Sequence, residues 1–380
     1  MRAFVVMLVA ALTWTGAARG EATRLTFLHV NDIYQYHPDA DGRGGLGELL
    51  TLVERRRAEA PNPMFTFGGD LLSPSLASTL TKGAHMVDLL NRMGPVAAVP
   101  GNHEFDFGAE VFAARIADSR FPWIGTNVLG PDGKPFGGME ATRIVTVGGV
   151  KVGFLGVLTA ATRALVTGGG VSFADETETA RRAAQALRAQ GAELVVALTH
   201  LDLDQDRALA QAVKEIDLIL GGHDHDPVGI QEGGALVLKA GQDAQWLGEV
   251  EMVVDRPDSG CGCGETTRVY PAGWRFVAVR DLPPSPVLAT VIAETDRQLD
   301  GSLGQPLSVL DTPMDSRTGT VRGQEAAVGN LVADALRAHF GADLALINGG
   351  GLRGNRQYPP GITLTRRDML AEMPFGNIVM

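Results

Sequence analysis

Along the first 225 residues, apolar runs that read as β-strands end, one after another, in short polar clusters. The clusters are Asn31-Asp32, Gly68-Gly69-Asp70, Gly101-Asn102-His103-Glu104-Phe105-Asp106, Thr199-His200, and Gly221-Gly222-His223 with His225. The runs preceding them are Leu25–Val30, Met64–Phe67, Val96–Val99, Leu194–Thr199 and Asp217–Leu220. Further strand-like runs lie at Trp123–Thr126, Arg143–Val147, Lys151–Gly156, Ala235–Lys239 and Glu249–Val254. Several are continuously apolar, as expected for strands covered on both faces. Helical spacing falls between many of them, most clearly at Leu46–Ala60, Ala84–Met93, Ala109–Ser119, Glu176–Gln190 and Gln205–Lys214. That alternation predicts an α/β fold.

In open α/β sheets, ligands bind outside the carboxyl ends of the strands. Five strand ends can therefore meet at one crevice, although their residues are far apart in the chain. They would bring two carboxylates (Asp32, Asp70), one amide (Asn102) and three imidazoles (His200, His223, His225). This donor set suits a pair of divalent cations, which sit about 3.5–4 Å apart in such centres, usually with a shared carboxylate. Asp70 is the natural bridge. Two divalent ions against two carboxylates leave a positive site, which suits a phosphate ester dianion. A water on the metals would lose much of its pKa and attack phosphorus in line. His103 is left over as an acid, and Asp106, three residues on, can accept from its ring and favour the protonated form. Glu104 reads as a structural neighbour. Taken singly, each Asp or His is more simply a turn former or helix cap. The joint order makes coincidence improbable.

A net charge of −11 argues against a broad nucleic-acid surface, so no nucleic-acid polymer is expected as partner. The N-terminus reads as a secretory signal, with Arg2, an apolar Ala3–Trp14 stretch, and small residues leading to a cleavage point near Gly20 or Ala22. No later stretch is long and apolar enough to span a bilayer. The expectation is a soluble periplasmic or secreted protein with no membrane association after signal removal. The two cysteines, Cys261 and Cys263, lie in a Gly-rich run and receive no catalytic role. The length suggests two domains. The expected division is a signal at 1–22, a catalytic unit at 23–281, a linker and connecting helix (Val287–Leu299) at 282–306, and a second unit at 307–380. The last unit carries a helix at Glu325–His339 and a strand at Leu344–Ile347, and reads as incomplete.

With these residues in view, the chain resembles the 5′-nucleotidase family of calcineurin-like metallophosphoesterases, which includes periplasmic UDP-sugar hydrolases. The resemblance covers roughly residues 24–380. It implies a four-layer α/β/β/α sandwich, then a linker helix and the start of a smaller α/β nucleotide-binding domain. It implies that Asp32, Asp70 and His225 hold one metal, that Asp70, Asn102, His200 and His223 hold the other, and that His103 and Asp106 form the catalytic pair. It also implies that Arg322, Asn348, Arg353 and Phe375 contact substrate, the arginines by forked bonds to oxyanions and Phe375 by stacking on a base.

The implied activity is removal of phosphate from nucleotides, most simply nucleoside 5′-monophosphates. The alternatives are hydrolysis of UDP-sugars and other nucleotide anhydrides or of 2′,3′-cyclic nucleotides, a thiohydrolase of the same superfamily, and a non-catalytic metal- or nucleotide-binding relative. Zn, Mn, Co and Fe all suit the nitrogen and oxygen donors.

One departure stands out: the family usually has Asp-x-His where this chain has Asp32-Ile33-Tyr34. The first metal position is therefore expected to be weaker or differently selective, with His225, water or His37 filling in. Metal analysis after dialysis checks this, since two equally retained ions would contradict it.

Overall fold

The computed structural model describes residues 22–166, 169–257 and 266–374. The signal segment up to residue 21, Cys261, Cys263 and Phe375 lie outside them.

Two β-sheets lie face to face between helical layers. In the first sheet the strand order is Arg268–Ala278, Trp246–Asp255, Ala22–Val30, Pro63–Phe67 and Ala97–Ala98. The last three run parallel, and Trp246–Asp255 lies antiparallel beside Ala22–Val30. The second sheet runs Pro227–Glu232, Ala235–Ala240, Leu218–Gly221, Leu194–His200, Val150–Leu158 and Thr142–Val147. Its four middle strands are parallel, and an antiparallel hairpin closes each edge.

The continuous apolar runs follow from this layering. Along Ala22–Val30, Leu25 and Phe27 face the second sheet, while Leu28 and Val30 face helices. Strand side chains alternate between faces, so a strand with two dry faces needs apolar residues on both. The inter-sheet core holds Phe27 edge-on to Phe154, with ring centroids 6.4 Å apart. Helices Leu46–Glu59, Ala84–Met93, Ala109–Asp118 and Pro286–Leu303 cover the outer face of the first sheet. Glu176–Ala189 and Leu203–Ala212 cover that of the second. This is the expected four-layer sandwich.

The connecting helix runs Pro286–Leu303, longer than Val287–Leu299, with Pro286 in its first turn, where a missing N–H costs nothing. Beyond it, Pro306–Val309 pairs with Thr363–Thr365 and Met314–Asp315 with Gln357–Tyr358, around a small core of Val328, Val332, Leu352 and Tyr358. The helix there spans Ala327–Phe340.

Two expectations are corrected, and a long edge strand joins the first sheet. Leu344–Ile347 is not a strand: among the described residues no strand pairs with it, and Leu344 and Leu346 are 72% and 85% exposed. Trp123–Thr126 makes single bridges at Trp123 and Ile124 rather than a ladder. The strand Arg268–Ala278 is additional, hidden in the sequence because Pro271 and Gly273 interrupt its pattern; it lies at a sheet edge, where such residues are tolerated.

Phe27→Ala should lower unfolding free energy by about 3–5 kcal/mol, because the two sheets cannot close over the lost ring. Urea unfolding measures it.

Candidate metal centre

Every parallel strand that ends in a polar cluster ends on the same side of the sandwich. The turns after them depart from ordinary backbone. Asp32, Asp70 and His223 hold left-handed conformations, with φ of 53°, 60° and 76°. Such conformations cost energy in non-glycine residues and concentrate at functional sites. The first two turns are tied together by Asp32 N–H to Gly69 O (2.9 Å) and Ile33 N–H to Asp70 O (3.0 Å). Gly69 (φ +91°) leaves no space for a side chain: a Cβ would stand 2.7 Å from both Gly101 N and His200 Nδ1. Gly222 is equally confined, since a Cβ would meet Gly68 O at 2.3 Å.

Asp32 and Asp70 are buried, with relative exposures of 0% and 1%. Asp32 Oδ2 accepts from Asn31 Nδ2 (2.7 Å) and His223 N–H (2.9 Å). Asp70 Oδ1 accepts from His103 N–H (2.9 Å). Ligand atoms of Asp32, Asp70 and His200 all lie within 4.8 Å of one another. His225 Nε2 is 3.4 Å from Asp32 Oδ1. The His200 and His223 rings are 5.1 Å apart, and His223 Nε2 is 3.4 Å from Asp202 Oδ1.

Two buried atoms at this crevice have no hydrogen-bond partner among the described residues, His200 Nε2 and Asn102 Oδ1. His200 Nδ1–H donates to Gly68 O (2.8 Å), which leaves Nε2 facing Asp70 Oδ2 at 3.3 Å. An imidazole oriented by a carbonyl is how proteins present a metal ligand. Unpartnered buried polar atoms are otherwise rare. The donors present therefore fit divalent cations.

Tyr34 stands among the donors expected of the first cation. Its hydroxyl lies 3.0 Å from Asp32 Oδ1, 2.9 Å from Asp70 Oδ2 and 3.1 Å from His225 Nε2. Burial, then the charges of Asp32 and Asp70, hold its pKa well above that of an ordinary tyrosine, so it stays a phenol. One phenolic proton serves one carboxylate at a time. Each carboxylate also faces an imidazole, Asp32 Oδ1 that of His225 at 3.4 Å and Asp70 Oδ2 that of His200 at 3.3 Å. His37 does not fill in: it is exposed and pairs with Asp296 on the connecting helix at 2.9 Å.

Burial alone would lower the pKa of His200, but Asp70 and Asp32 more than offset it and lift it to about 10. Burial and the neighbouring His200 lower that of His223. His103 Nδ1 is 2.7 Å from Asp106 Oδ2. Burial works against its proton, yet Asp70 and Asp106 raise its pKa to about 9, with Arg353 opposing.

Sequence reasoning underrated the supports. Glu104, fully buried, accepts backbone N–H bonds from Leu71 (2.6 Å), Leu72 (3.1 Å), Asp70 (3.0 Å) and Gly101. It thereby fastens the Asp70 turn to the loop carrying Asn102 and His103. His29, kept neutral by burial with a pKa near 4, joins Thr66 to Gly221 O. The Asn31-Asp32 pair offers a signal in the sequence: Asn31 also donates to Gly241 O and accepts from Ala240 N–H.

Of the expected substrate contacts, Arg353 stands in electrostatic reach of Tyr34, Arg322, Asp106 and Asp70, with its Nε–H on Gly350 O (2.8 Å). Arg322 is exposed at the end of a short helix, and Asn348 is exposed at the start of the Gly349–Gly351 turn. Phe375 lies outside the described residues.

Comparison with known proteins places these features in a family. Residues 25–227 match the model of the calcineurin-like phosphoesterases, and residues 304–380 that of the 5′-nucleotidase C-terminal domain. Endonuclease YhcR of Bacillus subtilis is 26% identical over 398 residues, 94% of this chain but only 32% of that protein. The 5′-nucleotidase of Mus musculus is 25% identical over 410 residues, 96% of this chain and 69% of the relative. The crystal structure of a 5′-nucleotidase precursor from Thermus thermophilus superposes with a TM-score of 0.78 at 25% identity, covering 93% of this chain and 74% of that one.

Because metal-free His200 carries a proton up to a pKa of about 10, loading a cation at neutral pH must expel it. Affinity should therefore rise with pH, roughly tenfold per unit between about pH 6.5 and 8.5. Equilibrium dialysis with Mn(II) across that range checks it, and a flat profile would contradict it.

Proposed function

The chain belongs to the calcineurin-like phosphoesterases, and from that membership we propose that it is an exported, dinuclear metal-dependent phosphohydrolase that removes phosphate from nucleotides, most simply nucleoside 5′-monophosphates. The observation that carries this reading is the convergence of His200 Nε2 and Asn102 Oδ1, buried and without a well-formed hydrogen bond among the described residues, on two buried carboxylates.

Asp32, Asp70 and His225 would hold one cation, and Asp70, Asn102, His200 and His223 the other. Bound there, the cations would supply a water of lowered pKa and neutralise phosphoryl charge. The chain's own residues do the rest. Asp70 is fixed in place by the His103 N–H and the Glu104 cradle, so no reorganisation is needed as substrate arrives. His103, aligned by Asp106, whose carboxylate favours the protonated ring, gives its proton to the leaving oxygen. Arg353 brings positive charge towards the same crevice, suited to the oxyanions of a nucleotide, and Arg322, near Arg353, would add to it. Asn348 and Phe375 would contact the nucleoside. Export rests on the signal-like first 22 residues. No helix among the described residues is long and apolar enough to cross a membrane.

Phosphate release from AMP with added Mn, Zn or Co tests the proposal. His103→Ala should lower kcat by about 10²–10⁴-fold, and Asp70→Ala should abolish turnover. Asp106 favours the protonated His103 ring, so kcat should fall on the alkaline side as that proton is lost, at a pH below the metal-free value of about 9 because bound cations would offset the charge of Asp70. Failure of AMP, ADP, UDP-glucose and cyclic AMP with every metal would overturn the reading.

A further inference from the structure

Lys239 lies in the Ala235–Ala240 strand of the second sheet, opposite Gly221, with no exposure to solvent. Its ammonium donates to the carbonyl of Leu201, to the carbonyl of Gly222 at 2.8 Å, and to the carboxylate of Asp224. Asp206 Oδ2, equally buried, stands 3.0 Å away. The origin of these oxygens is what matters. Leu201 follows His200, Gly222 precedes His223, and Asp224 lies between His223 and His225. A single buried cation thus joins the two loops that bear His200, His223 and His225. Gly221 allows the approach: a Cβ there would come within 3.0 Å of Asp206 Oδ2 and 3.1 Å of Lys239 Cε.

Burying a charge is unfavourable unless it is paired and hydrogen-bonded, and an apolar residue would pack this strand at lower cost. The arrangement must therefore do something a Leu or Met would not. Hydrogen bonding to a loop carbonyl fixes the carbonyl's peptide plane, and the neighbouring residue's Cα–Cβ direction is constrained by that plane. We propose that Lys239 is a positioning residue of the metal centre, its ammonium clamping the Leu201 and Gly222 carbonyls so that His200 and His223 keep the separation that one cation requires. The assignment rests on the reading that these two histidines hold a metal. Lys239 touches none of the ligand atoms itself. Groups that orient metal ligands from behind typically contribute roughly 10–100-fold to metal affinity.

Co(II) titration of the metal-free full-length chain, followed by the visible d–d absorption of the bound ion, tests it alongside urea unfolding of each variant. His200→Ala is the control for the metal reading. Lys239→Met alone strands Asp206 as a lone buried charge, so Lys239→Met/Asp206→Asn, which removes both, carries the comparison. The double variant should still unfold cooperatively, at a midpoint lowered by the loss of a donor to the Leu201 and Gly222 carbonyls. At a urea concentration where it is folded, it should nevertheless bind the ion held by His200 and His223 roughly 10–100-fold more weakly, with an altered d–d band. Wild-type affinity and spectrum in a folded double variant would overturn the positioning role while leaving the metal reading intact. A wild-type chain that takes up no Co(II), or a His200→Ala variant that binds as wild type does, would overturn both.

Discussion

Two carboxylates buried side by side are the constraint around which the rest is arranged. Asp32 and Asp70 share one hydroxyl, that of Tyr34, and neither reaches bulk water. An unpaired buried charge costs several kcal/mol, and two of like sign cost more. Their surroundings supply compensation in two forms. Backbone N–H groups of His103 and His223 are aimed at them, and His200, His225 and His103 stand within 4.0 Å of a carboxylate oxygen. Without metal, protons on His200 and His103 balance the charge. A cation bound there would take the place of the His200 proton.

Holding such a cluster requires that the turns bearing it do not relax. The fold meets this with buried polar links set behind the ligand atoms. Glu104 gathers four N–H groups from two loops. Asp243 accepts from Tyr34 N–H and Gln35 N–H, keeping the Tyr34 loop against the crevice. Asn31 ties the first strand end to the Gly241 turn of the second sheet. The Asn31 link crosses between sheets, so the rigidity of the sandwich core passes directly to the crevice.

Tyr34 shows how one substitution in a motif changes local balance. Where the family usually has an imidazole, this chain has a phenol that burial keeps protonated. It adds a proton donor between the two carboxylates and leaves His225 as its neighbour at 3.1 Å.

The α/β alternation, the double-faced strands and the strand-end clusters were legible in the sequence, because each depends on local periodicity or on residues adjacent in the chain. Leu25 to Val30 announced two dry faces, and the Gly-Asn-His-Glu-Phe-Asp run announced a working turn. Leu344–Ile347 misled, since an apolar run becomes a strand only where a partner strand exists to take its hydrogen bonds. What the tertiary structure alone decided is which atoms meet: that His200 turns Nε2 rather than Nδ1 inwards, that His37 faces Asp296 instead of the crevice, and that Lys239 stands behind two histidine loops. Those outcomes depend on contacts between residues far apart in the chain, and no local pattern encodes the direction in which a side chain will find its partner.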